Sequence, residues 1–133
     1  MRGFGGRNKY GAARTKCPLD HPHPSKLEAS VCAILQARVR TGEISDLKWQ
    51  ASVALPMGIR WKVDWSFMRD GVKVYAEAKG FETRDYKLKL KIWREAGPAP
   101  LEIWKGTPQR AVLTETVIPK LGGVNERDQS KEL

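Results

Sequence analysis

Cysteine is nearly absent from this sequence: Cys17 and Cys32 are the only two in 133 residues. That is too few for a disulfide framework and fits a reducing compartment. Long apolar runs are missing as well. No stretch approaches the roughly 18 apolar residues of a membrane-spanning helix, and no basic start followed by a short apolar segment marks a secretion signal. The expectation is a cytoplasmic protein with no membrane partner. Histidine is scarce, and both copies, His21 and His23, stand in the Pro-rich stretch CPLDHPHP beside Cys17 and Asp20. A zinc site there would need a spacing that matches no four-ligand pattern, and no second cysteine pair lies near. Acidic residues are also in deficit, 15 against 24 lysines and arginines, which leaves a formal charge of +9. Such a balance favours a polyanionic partner, nucleic acid first. No internal repeat is present.

What is there suffices for one modest core: 41% hydrophobic residues and five tryptophans. The expected layout is a basic arm over residues 1–16, a single domain over 17–124 and a polar tail over 125–133. The arm carries Arg2, Arg7, Lys9, Arg14 and Lys16 among four glycines, a composition that buries little and either follows a phosphate backbone or is simply solvated. Ser25 to about Arg40 reads as a helix with Ser25 as N-cap and Glu28 completing a capping box. On a helical wheel Glu28 also falls among Leu27, Val31, Cys32 and Leu35, so its carboxylate points toward the core, where an unpaired acid is costly. Ile44 to Leu55 reads as extended, and Pro56-Met57-Gly58 turns it back. Arg84 to Ala96 satisfies strand alternation over Lys87 to Ile92. Its length and the Gly97-Pro98 stop favour a helix, with Tyr86, Leu90 and Trp93 on one stripe and Lys87, Lys91 and Arg94 on a basic face. Leu101 to Trp104 and Ala111 to Ile118 read as further strands.

The most informative stretch is IRWKVDWSFMRDGVKVYAEAKG, from Ile59 to Gly80. Ile59, Trp61, Val63, Trp65 and Phe67 alternate with polar residues, as do Val72, Val74, Ala76 and Ala78, and Asp70-Gly71 between the runs suits a two-residue turn of positive φ. With that turn Arg69 faces Val72, and counting back brings Asp64 opposite Glu77 and Lys62 opposite Lys79. Directly opposed side chains have Cβ atoms about 4.5 to 5.5 Å apart. Two acids side by side repel unless one is protonated or a cation lies between them, and hard oxygen ligands suit Mg²⁺ or Mn²⁺.

Asp64 followed by Glu77-Ala78-Lys79 resembles the D…(D/E)xK signature of the restriction-endonuclease-like nuclease superfamily. Residues 9 to 105, from Lys9-Tyr10-Gly11 through Ser25-Lys26-Leu27-Glu28-Ala29 and the Gln50 strand to Glu77-Ala78-Lys79-Gly80 and the lysine-rich segment beyond, are similar to a family of small phage-type endonucleases. An ExK triplet alone is common; the order helix-Glu, strand-Asp, strand-ExK, basic segment is more specific. Val63 stands where many members have proline before the aspartate.

The resemblance implies an α+β fold with an α-β-β-β-α-β core, a mixed sheet flanked by helices. It implies a Mg²⁺-dependent endodeoxyribonuclease, with Mn²⁺ as a substitute, in which Asp64, Glu77, the Ala78 carbonyl and Glu28 hold the metal. Lys79 acts beside them as base or electrostatic stabiliser. Gln50, Lys62, Lys87, Lys91 and Arg94, with the arm residues Arg7, Lys9, Arg14 and Lys16, would contact DNA. Branched DNA such as a Holliday junction is the leading substrate, with nicking of ordinary duplex as the alternative, and the acting species is a homodimer in the cytoplasm of a phage host. The contrasting expectation is a non-catalytic nucleic-acid-binding protein in which Asp64 and Glu77 only pair with Lys62 and Lys79.

Overall fold

A computed structural model describes residues 15–16, 22–23 and 25–120. Two short strands, β1 (Thr15–Lys16) and β2 (Pro22–His23), pair antiparallel ahead of helix α1 (Lys26–Arg40). There follow β3 (Ser45–Ala54), β4 (Arg60–Arg69), β5 (Val72–Ala78), helix α2 (Arg84–Ala96), β6 (Leu101–Thr107) and β7 (Arg110–Val117). The five long strands form one sheet in the order β3-β4-β5-β6-β7. All neighbours are antiparallel except β5 and β6, which run parallel because α2 carries the chain across between them. The described residues therefore form an α+β unit with a mixed sheet and two α-helices, and α1 to β6 follow the order α-β-β-β-α-β, with β7 added at the edge.

Local chemistry accounts for the boundaries. Ser25 caps α1, its hydroxyl accepting from the Glu28 amide at 3.1 Å. Thr83 caps α2 in the same way, accepting from the Tyr86 amide at 3.1 Å. The β4–β5 turn places both Asp70 (φ 53°) and Gly71 (φ 78°) in the left-handed region, which fixes Arg69 opposite Val72. α2 ends at Gly97, which turns extended (ψ 160°) ahead of Pro98, and nothing larger fits there: a Cβ would lie 2.5 Å from the Trp93 ring.

Two cores lie on opposite faces of the sheet. Leu27, Val31, Cys32 and Leu35 of α1 pack with Trp65, Phe67, Val74, Ala76 and Trp104. Tyr86 and Trp93 of α2 pack with Trp61, Val63, Leu101, Ile103 and Val117. The α2 core is aromatic, with Trp61 edge-on to both Tyr86 and Trp93 at 5.8 Å and Tyr75 edge-on to Trp93 at 5.4 Å. Each such pair contributes about 0.5 to 1.5 kcal/mol beyond the area it buries.

One feature of β3 and β4 positions the site. Leu47 and Trp49 on β3, like Trp65 and Phe67 on β4, pack with the α1 core, whereas Ala51 and Val53, Trp61 and Val63 pack with the α2 core. The strand parity is unchanged across this switch, so the two-stranded arm bends. The bend falls at Gln50, whose φ of 62° is unusual inside a strand, and at Asp64, which lies between the β3–β4 pairs Trp49↔Trp65 and Ala51↔Val63. Here β4 leaves β5: their ladder ends at Trp65↔Ala76, and Glu77 and Ala78 continue only with Ile103 and Trp104 of β6. The expectation that Lys62 opposes Lys79 is therefore corrected. Lys62 pairs with Ser52 on the bent arm, while the Lys79 amide donates to the Trp104 carbonyl at 2.9 Å.

Candidate functional site

At the fork the ladder is replaced by side chains. The Ala78 amide donates to Asp64 Oδ2 at 2.9 Å, and the Asp64 amide donates to Glu77 Oε1 at 3.1 Å. Each acid thus satisfies a backbone donor on the other's strand that the diverging sheet would leave open. The two acids are brought together by this exchange and not by the ladder, which stops one pair short of the expected Asp64–Glu77 pairing, at Trp65↔Ala76. Burial raises both acids, and each is raised further by a neighbouring negative charge. Asp64 is pushed up to about 7, with Glu28 as the charged neighbour. Glu77 is pushed up to about 8, with Asp64 as the neighbour.

Lys79 supplies the positive charge. Its Nζ stands 3.4 Å from Glu77 Oε2 and 4.9 Å from the centroid of the Tyr86 ring, so the ammonium is held between a carboxylate and an aromatic face. Glu28 enters from the first turn of α1. It is 5% exposed, and its Oε2 accepts the Trp49 indole N–H at 3.1 Å. Burial raises its pKa, while the Trp49 hydrogen bond and the Lys79 charge oppose that rise. Glu28, Asp64, Glu77 and Lys79 are thus electrostatically joined, with three acids against one lysine.

Among the described residues no three His, Cys, Asp or Glu side chains stand close enough to hold a metal ion by themselves. Asp64 and Glu77 are joined through each other's strand amides, and Glu28 acts on Asp64 through its charge. The donor set still suits a hard divalent cation. Two carboxylates raised by burial and by a neighbouring negative charge are relieved by a cation, and oxygen ligands are what Mg²⁺ takes.

The expected nucleic-acid contacts divide into groups. Lys62, Lys87 and Lys91 are exposed. Gln50 is exposed too, and the register places it across from Asp64. Arg94, expected on the same basic face of α2, is instead committed to β7: its guanidinium forms a two-pronged ion pair with Glu115. Arg7, Lys9 and Arg14 lie outside the described residues, as do Cys17 and His21 of the conceivable zinc site. Lys16 is described only in its backbone, within β1.

Two residues of the site were not singled out from the sequence. Trp49 had a signal: it shares the strand parity of Leu47, Ala51 and Val53, the apolar positions of β3, and an inward indole needs an acceptor for its N–H. Tyr86 was legible as part of the α2 stripe, but nothing in the spacing places its ring against Lys79.

No family model, curated protein or solved structure matches the chain.

Proposed function

We propose that the chain is a metal-dependent endodeoxyribonuclease of the restriction-endonuclease-like type. The observation that carries this reading is the fork, where Asp64 and Glu77 hold each other's strand amides and Lys79 stands 3.4 Å from Glu77. The α-β-β-β-α-β order and the helix-borne Glu28 support it.

Hydrolysis of a phosphodiester requires a water in line with the leaving 3′-oxygen and neutralisation of the charge that grows on the phosphoryl oxygens. Asp64, Glu77 and the Ala78 carbonyl would hold a Mg²⁺ ion, with Glu28 as a further acid near Asp64. When bound, that ion supplies Lewis-acid polarisation of the phosphate and a lowered pKa for attacking water. The chain's own residues do the rest. Lys79 Nζ donates to a phosphoryl oxygen as negative charge accumulates there. Its pairing with Glu77 favours this electrostatic role over that of a base. The Tyr86 ring and Glu77 keep the ammonium in place before substrate arrives, so little reorganisation is needed during reaction. Trp49 holds Glu28 toward the site through its indole. Lys62 on the bent arm and Lys87 and Lys91 on α2 are exposed for contact with the DNA backbone.

The proposed substrate is branched DNA, with duplex nicking as the nearest alternative and a homodimer as the acting species. One observation favours a non-catalytic nucleic-acid-binding protein instead: Lys79 already neutralises one carboxylate, and acids raised to about 7 and 8 can remain protonated without a metal. Incubation with supercoiled plasmid and with a four-way junction, in Mg²⁺ and in EDTA, separates the two. The nuclease nicks or resolves in Mg²⁺ only. Binding with no cleavage in any divalent ion defeats the proposal.

A further inference from the structure

Phe81 is 78% exposed, two residues beyond Lys79. Single exposed apolar side chains are ordinary, but the placement of this one is not. Its loop is anchored at both ends: the Lys79 amide donates to the Trp104 carbonyl at 2.9 Å, Glu82 is ion-paired to Lys105, and Thr83 caps α2. A loop so fixed presents Phe81 outward as part of its built conformation. Arg84 and Lys87, both exposed, follow in the first turn of the helix.

Two residues of chain span no more than about 7.6 Å between Cα atoms, which is the scale of one nucleotide step in an unstacked strand. The backbone that carries Phe81 thus lies within about one nucleotide step of the backbone that carries Lys79. Every base has a π-face, and stacking on an aromatic side chain needs no sequence. Inside an intact duplex both faces of a base are already covered by its neighbours. A ring beside the scissile phosphate can stack only on a base whose own stacking is broken, as at a junction, gap, flap or single strand.

We infer that Phe81 is a stacking platform for the nucleobase next to the scissile phosphate, and that it biases the site toward DNA with unstacked bases there. The inference rests on the nuclease reading for the word scissile, and it names the structural class of substrate that reading leaves open. Phe81 touches no reacting atom; it determines specificity.

The test uses the full chain, with Phe81→Leu to remove the π-face and Phe81→Trp to keep it. Cleavage rates per unit DNA in Mg²⁺ are compared on a plain duplex and on the same duplex carrying a short gap. Phe81→Leu is expected to lower the gapped-to-plain ratio of kcat/KM by at least about fivefold, with plain duplex within about twofold of wild type and Phe81→Trp near wild type. An unchanged ratio, or an equal fall on both substrates, overturns the inference. Anisotropy binding to oligothymidine in EDTA supplies an arm that needs no chemistry: Phe81→Leu should weaken binding at least about fivefold while Phe81→Trp restores it. If wild type cuts nothing yet this pattern holds, the nuclease reading fails and the platform stands. If cleavage occurs and oligothymidine binding ignores the substitution, the platform fails and the nuclease reading stands. A concentration-dependent oligomer that Phe81→Leu dissolves, with oligothymidine affinity unaltered, assigns the residue to self-association and defeats the inference.

Discussion

Asp64 and Glu77 are bound crosswise, the Asp64 amide to the Glu77 carboxylate at 3.1 Å and the Ala78 amide to the Asp64 carboxylate at 2.9 Å. The arrangement keeps two acids together where the sheet parts. It also makes the fold sensitive to pH, because both acids are raised above their ordinary values of 3.8 and 4.5, to about 7 and about 8. The folded state therefore holds more protons than the unfolded state between about pH 4 and pH 8. The contribution of the protonated pair is complete below that window and is lost as pH rises through 7 and 8. In metal-free buffer, Tm should fall across this range. Glu77→Gln, which keeps an acceptor for the Asp64 amide, should flatten the fall and stabilise the protein at pH 8 by on the order of a few kcal/mol. A steeper fall in the variant would show that Glu77 is not raised.

Divalent cations should reverse the loss. Ligand oxygens must be deprotonated to bind, so Mg²⁺ affinity should climb between pH 6 and 8 and binding should release protons. At a Mg²⁺ concentration of 100 times its Kd, the stabilisation is about 2.7 kcal/mol. Calorimetric titration in two buffers of different ionisation enthalpy measures the proton count. Equal heats in both buffers would contradict protonated ligands.

Glu28 is aimed by Trp49 rather than by its helix alone. Trp49→Phe keeps most of the apolar surface and removes the indole donor. Cleavage should fall by about 10- to 100-fold, as when an outer hydrogen bond to a ligand is lost, while DNA affinity holds. Weakened binding with an intact maximal rate would place Trp49 on the DNA surface instead.

Lys87 and Lys91 differ from Arg94 in being uncommitted to β7. If each lysine meets a duplex phosphate, changing both to alanine should flatten the log-log salt dependence of binding by about 1.8, at about 0.9 per contact. Arg94→Ala should leave that slope unchanged and lower Tm slightly, since its ion pair with Glu115 is exposed. Removing residues 1–14, which spares β1, tests the basic arm by the same slope.

Gly97 has a separate, purely structural role. Gly97→Ala drives a methyl group to within 2.5 Å of the fully buried Trp93 ring, whose N–H is fixed to the Ala99 carbonyl at 2.8 Å. Overpacking of this kind costs about 1 to 3 kcal/mol, measured as a lower denaturation midpoint. An unchanged midpoint would mean that the α2 end shifts freely.

The local chemistry of the sequence carried most of the fold. Ser25, Asp70-Gly71 and Gly97 act at short range, so helix starts, turn type and the Arg69↔Val72 register followed from the residues themselves. The α2 helix ran over the expected span, Arg84–Ala96, despite the alternating lysines, because Tyr86 and Trp93 had an aromatic core to enter. What local patterns do not contain is where a ladder stops. Counting residues placed Asp64 opposite Glu77, and it also placed Lys62 opposite Lys79, which fails because the arm bends at Gln50 and Asp64 to pack against the other helix. Long-range pairings were hidden for the same reason. Arg94 looked like part of a basic face until β7 brought Glu115 beside it, and Trp49 meets Glu28 only because α1 lies over β3.

The Asp64–Glu77 pair is proposed to hold the cation that supports DNA hydrolysis. The most direct test is single-turnover cleavage of a four-way junction in Mg²⁺ at saturating protein, comparing wild type with Glu77→Gln and measuring junction affinity alongside. Cleavage should require Mg²⁺ in wild type and fall by at least about a hundredfold in the variant, the scale of a group acting in the transition state. Affinity should stay equal or rise, because a charge that repels phosphate has been removed. A variant that cuts at the wild-type rate, or a wild type that binds the junction and leaves it whole, would contradict the account.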